Sequence, residues 1–165
     1  MGTNVTVNYF EYGVNKYFRG NAHIVALCTY GEKKDPIGAN LDRYQIVKGW
    51  LDDKGDTHEQ IYDVAWAGDR KPGADGKLPS VGSTVDIGNA TWTNTIGAPE
   101  LIAVWTDPDF DPTLKAFYYG RVIEIPTPRW TAYDAAYFKI KITDPKVPMT
   151  TQERAFTSPI WYSPK

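Results

Sequence analysis

At 165 residues the chain has a length that favours one domain and permits a real core, with 42% apolar and 23% charged residues as in ordinary globular proteins. A formal net charge of -2 leaves no basic excess to draw in a phosphate backbone, which argues against nucleic acid as a partner. No stretch approaches the roughly 20 apolar residues of a membrane span, and a single cysteine, Cys28, leaves no intrachain disulfide or thiolate metal cluster.

In chain order, the opening "MGTNVTVNYFEYG" shows neither the basic start nor the apolar run of a signal peptide, and residues 1–20 read as an N-terminal extension. "NAHIVALCTY" (21–30) is an apolar, β-branched strand in which Cys28 reads as a small core residue. "GEKKDPIGAN" (31–40) is a turn-rich connection. "LDRYQIVKGWL" (41–51) and "THEQIYDVAWAG" (57–68) flank the polar, Gly-containing turn "DDKGD", which makes a β-hairpin of 44–66. Alternation along the second strand places Tyr62, Val64 and Trp66 on one face. A loop follows at 69–79, then one or two short strands within "STVDIGNATWT" (83–93).

"PELIAVWTD" (99–107) is nearly continuous in apolar residues, as in a strand buried on both faces. "WTDPDFDPT" (105–113) carries Asp107, Asp109 and Asp111 at every second position between prolines. Prolines hold the residues before them extended, which lines the carboxylates up in a row rather than around a centre. The stretch therefore reads as a connection between strands, with Phe110 turned inward, the aspartates in water and no tightly bound calcium. "AFYYGRVIEI" (116–125) is the strongest strand signal, and Tyr118 or Tyr119 stands where immunoglobulin-like sandwiches tuck a tyrosine hydroxyl onto nearby backbone. "TAYDAAYF" (131–138) is the one helical stretch, with Thr131 as N-cap and Asp134 as part of a capping box. "RAFTSPIWYSP" (154–164) is a last strand that Pro159 confines to an edge or a bulge. The pattern predicts an all-β, immunoglobulin-like antiparallel β-sandwich with one short helix, spanning 21–165 as a single domain. Tyr62, Val64, Trp66, Val104, Val122 and Ile123 are its expected core.

Candidate chemistry is sparse. His23 and His58 are the only histidines, too few for a hydrolytic metal site built on them. Cys28 and His23 stand at odd spacing, on opposite faces of a strand. No G-x-S-x-G elbow is present. A paired-carboxylate glycosidase needs a cleft that a small sandwich does not obviously offer. Asp52, Asp53, Asp56 and Glu59 depart from the spacing of a calcium-binding EF-hand loop and read as a solvated hairpin turn. The aromatic residues are the better lead: the chain holds 6 Trp, 11 Tyr and 6 Phe. Trp130, Tyr133, Tyr137 and Phe138 gather in the long segment before the last strand, with Trp92 and Trp161 as possible neighbours. Such rings dock a protein partner or a second copy, stack on sugars, or cover the end of the sandwich as a minicore.

Five stretches, in order, carry a resemblance: "KDPIGANLDRYQIVKGW", "THEQIYDVAW", "GAPELIAVWTDPDFDP", "AFYYGRVIEIPTPRWTAYDA" and "TTQERAFTSPIWY". From about residue 35 onward they resemble the C-terminal part of large bacterial proteins, the domain-of-unknown-function family 3604. The resemblance implies an N-terminal part like the polymerase and histidinol phosphatase-type metallohydrolases, opening on a His-x-His metal motif. No His-x-His pair occurs here, so no metal-site residue has a position to land on. What the resemblance implies for this chain is a β-rich accessory domain in a periplasmic or secreted setting. The reading is a non-catalytic interaction domain with no cofactor and no catalytic or metal residues, docking a protein partner or a metallohydrolase-like domain. The alternative is a carbohydrate-binding module using exposed aromatics.

Overall fold

The computed structural model describes residues 5–10, 26–33 and 35–164. His23 lies outside them. The β-branched and aromatic runs form strands that pair antiparallel throughout. One sheet has the order β1-β2-β5, from β1 (Val5–Phe10), β2 (Ala26–Lys33) and β5 (Glu100–Thr106). The other has β3 (Leu41–Leu51) between β4 (Thr57–Trp66) and β6 (Ala116–Glu124), and β6 also pairs with β9 (Arg154–Phe156) and β10 (Ile160–Tyr162). A ribbon of β7 (Thr127–Pro128) and β8 (Thr150–Thr151) closes a loop that carries the one described helix, α1 (Trp130–Phe138). Among the described residues the fold is an all-β sandwich with one short helix. Strand β1 falls in the segment read from sequence as an extension and is hydrogen-bonded to β2.

The core lies between the two sheets. Leu41, Tyr44 and Ile46 from β3, Leu101 from β5, and Ala116, Tyr118 and Val122 from β6 form one buried cluster. Leu27, Trp50, Val64, Ala65 and Trp105 pack against it. Gly31 of β2 meets β6 so closely that an added Cβ would stand 3.0 Å from Val122. Strand β6 alternates strictly: Tyr118, Gly120 and Val122 are buried, while Phe117, Tyr119, Arg121 and Ile123 face outward.

The expected hairpin is present, with its turn at 52–56. Gly55 takes φ 84° there, and Asp52 Oδ1 accepts from the backbone N–H groups of Lys54 and Asp56 at 2.9 Å. The alternation read along β4 breaks at a bulge. Tyr44 pairs with Ala65 but Gln45 pairs with Asp63, so Val64 is an extra residue on β4. Val64 and Ala65 both reach the core, and Trp66 is re-aimed to lie opposite Arg43, its Nε1 donating to Arg70 O at 2.8 Å. Tyr62, Val64 and Trp66 are therefore half-buried rather than central.

Strand β5 corrects a second expectation. It is the edge of a three-stranded sheet, with one face on the core and one in solvent. Leu101 is buried, whereas Ile102 and Val104 are 68% and 78% exposed. Cys28 pairs with Val104 and so shares that outer face, half-buried and outside the core. Residues 83–93 form a single bridge, Asp86 to Thr91, instead of strands. The final run is cut in two around Pro159: β9 and β10 both return to β6, with Gly120 N–H donating to Thr157 Oγ1 at 2.8 Å between them.

The two classes of apolar residue separate under truncation. In urea unfolding, Leu41→Ala, which empties a fully buried site, is expected to cost about 2–5 kcal/mol. Val104→Ala is expected to stay within about 0.5 kcal/mol because its side chain is mostly in water.

Candidate functional site

The Asp-Pro run after β5 is built around a buried charge. Asp107 is buried, against the expectation that all three aspartates stay in water. Its Oδ2 lies 2.6 Å from Lys48 Nζ of β3 and accepts the Tyr118 hydroxyl of β6 at 2.7 Å. Its Oδ1 accepts from Asp109 N–H at 2.9 Å. Lys48 also donates to Asp109 O at 2.7 Å, and its ammonium sits 5.2 Å from the Trp50 ring centroid. Of the two tyrosines expected to tuck a hydroxyl onto backbone, Tyr118 is the buried one, and its hydroxyl bonds a carboxylate instead. Burial, then the bond to Asp107, pushes its pKa far above the usual phenol range. Burial and a 3.0 Å bond to Asp109 Oδ2 do the same for Tyr62. Asp111 instead bonds Thr113, which holds its pKa low. Phe110 is half-buried, edge-on to Tyr162 at 5.0 Å. The three carboxylates face three different partners. Among the described residues no group of three or more His, Cys, Asp or Glu side chains converges as metal ligands would.

The docking residues read from the sequence all lie on α1. The N-cap lies two residues earlier than expected, at Arg129 instead of Thr131, and makes no side-chain cap bond. Thr131 is inside the helix, buried, and donates to Pro148 O at 2.6 Å. Lys139 ends it at φ 53°, and Ile140 N–H bonds Ala135 O, the 6→1 bond of a Schellman ending. Thr131 and Ala132 make the buried contact. Trp130, Tyr133 and Tyr137, at spacings of three and four, form an outward stripe. Exposures are 64% for Trp130, 45% for Tyr133, 82% for Tyr137 and 63% for Phe138, and Phe138 packs edge-on against Tyr137 at 5.0 Å.

Trp161 belongs to a different surface, missed at the level of sequence. On the outer face of the β6 sheet its ring lies 5.2 Å from Phe117, which is stacked with Tyr119. Phe156 continues the row against Tyr119 at 6.2 Å. The signal was present in the alternation of β6, which sends Phe117 and Tyr119 outward once Tyr118 is inside. At the end of this face is an open cleft of about 580 Å³, lined by Phe117, Trp161, His58, Glu59 and Lys115 among others. His58 stacks on Trp50 at 5.2 Å, and its Nε2 lies 3.0 Å from Asp52 Oδ2, which holds the Asp52 pKa low. Trp92 is half-buried in the connection between β4 and β5.

In comparisons with known proteins, the model of the family described as "Protein of unknown function (DUF3604)" matches residues 26–164. No curated protein and no solved structure matches the chain.

Removing one partner of the buried pair should be severe: Lys48→Met is expected to destabilise the fold by about 3–5 kcal/mol in urea unfolding. Lys48→Met with Asp107→Leu should lose less than the sum of the single changes, since no charge is then stranded. Thermal melts in calcium and in chelator are expected to overlap; a rise of several degrees in calcium that disappears in Asp109→Asn would show a caged ion.

Proposed function

The chain belongs to the DUF3604 family, and from that premise we propose that it is a non-catalytic interaction domain that docks a folded protein partner through α1. The observation that carries this reading is the outward aromatic stripe. Four large rings on a nine-residue helix are exposed, three of them mostly in water, on a loop held at its base by the β7–β8 ribbon and by Thr131. Tyrosine and tryptophan at such a density are the composition of interface centres. Among partners, a metallohydrolase-like domain is the class that the family resemblance implies.

Two further features support an accessory role. The strand orders β1-β2-β5 and β4-β3-β6-β10 are those that A-B-E and C′-C-F-G would take in an immunoglobulin-like sandwich, which supports reading the domain as a recognition scaffold. Lys48, Asp107 and Tyr118, buried polar groups of the interior, bond one another.

The test uses a metallohydrolase-like domain of the family as titrant against the purified chain in calorimetry. Saturable binding is expected, and Tyr137→Ser with Phe138→Ser should weaken it at least about tenfold, a loss of about 1.4 kcal/mol. Equal affinity in that variant would remove α1 from the interface.

A further inference from the structure

We propose that the cleft at the end of the β3–β6 sheet is a binding site for neutral pyranose oligosaccharides, with Trp161 and Phe117 as its stacking platform. The site is separate from α1 and does not depend on the docking reading.

Size, shape and lining lead there. A volume of about 580 Å³ falls within the range of about 300–1,000 Å³ typical of small-molecule sites. The cleft is open rather than enclosed, as a chain-like ligand requires. One wall is aromatic: Trp161 is 71% exposed on β10, and its ring is inclined 47° to Phe117 on the neighbouring strand. An exposed tryptophan held at a cleft wall offers a flat apolar face to a ligand. Phe117 is seated by its neighbour Gly49, because any Cβ at that position would collide with the Phe117 ring. The rest of the lining adds further apolar residues and a few polar ones of both signs. Glu59 provides hydroxyl acceptors, Lys115 provides donors, and His58 is fixed between Trp50 and Asp52.

A pyranose ring suits both kinds of lining at once. Its axial C–H groups make an apolar face for an aromatic ring, and its equatorial hydroxyls point edgewise to donors and acceptors. The charges lining the cleft select within that class. Glu59 and Lys115 are of opposite sign, and His58 is paired with Asp52, so the described lining holds no cationic cluster for a phosphate or a row of uronates. A purely aliphatic ligand would cover Glu59, Lys115 and His58 without bonding them.

The experiment titrates the purified chain with soluble cello-, xylo-, malto- and N-acetylchito-oligosaccharides to millimolar concentration, with an oligogalacturonate as the anionic arm. Calorimetry measures affinity, and the Trp161 indole N–H resonance reports the place. At least one neutral series should bind and move that resonance. Trp161→Ala should weaken it at least tenfold with an unchanged melting curve, and Trp161→Tyr should restore most of it. Gly49→Ala, by displacing Phe117, should weaken it several-fold. Trp130→Ala and the Tyr137→Ser, Phe138→Ser variant should bind sugar as the parent does, which keeps this result apart from the docking one. The proposal is overturned by no binding in any neutral series, by tighter binding of the galacturonate, by full affinity in Trp161→Ala, or by equal loss in Trp130→Ala.

Discussion

The ion pair between Lys48 and Asp107 joins the two sheets. Lys48 belongs to β3 and Tyr118 to β6, while Asp107 directly follows β5 of the opposing sheet. Burying two charges has a desolvation cost of several kcal/mol per ion, and their attraction offsets it only when the remaining hydrogen-bonding positions are also filled. Here both Asp107 oxygens accept bonds, and Lys48 reaches a carboxylate, a carbonyl and the face of Trp50. Such a network specifies one relative placement of the sheets, because sliding either of them would strand a charge in the core. It also accounts for the loop. Asp109 is held through its N–H, its carbonyl and its carboxylate, so the chain is already anchored when Asp111 and Thr113 turn it toward β6.

With the interior settled this way, the informative surfaces are the outward ones. Helix α1 is short enough to be marginal as an isolated helix, and it buries little beyond Thr131 and Ala132. It is held by its ends and base: the β7–β8 ribbon, Arg129 N–H to Met149 O, Thr131 to Pro148 O, and the αL ending at Lys139. Polar pins on one side leave the aromatic stripe free on the other. A helix stabilised by burying its own apolar face would have presented the opposite pattern.

The outer face of the β6 sheet reaches an aromatic surface by a different route. Strict alternation along β6 makes Phe117 and Tyr119 the outward counterparts of buried Tyr118. Gly49 on β3 leaves room for the Phe117 ring to lie over the sheet, and β10 brings Trp161 alongside. The break at Pro159 matters here. By splitting the final run into β9 and β10, it places Phe156 and Trp161 at two separate points along β6, beside Tyr119 and Phe117 respectively.

The sequence by itself determined the fold class, the β3–β4 hairpin, the strength of β6, the existence of α1 and the disruption at Pro159. Each of these rests on local physics: period-two alternation, β-branched and aromatic propensity, and the backbone limits of glycine and proline. The same local reading placed the α1 stretch within one residue of its observed start. Tertiary structure decided what local periodicity cannot contain. Whether "ELIAVWT" is buried on one face or both depends on its place in the sheet, and as an edge strand it leaves Val104 and Ile102 in water. The side to which Trp66 turns depends on one extra residue in β4, visible only against the register of β3. That Asp107 is buried while Asp109 and Asp111 are exposed follows from a lysine far away in the chain. The cleft beside Trp161 needs β4, β6 and β10 brought together, and their adjacency is a property of the folded sheet rather than of any stretch within it.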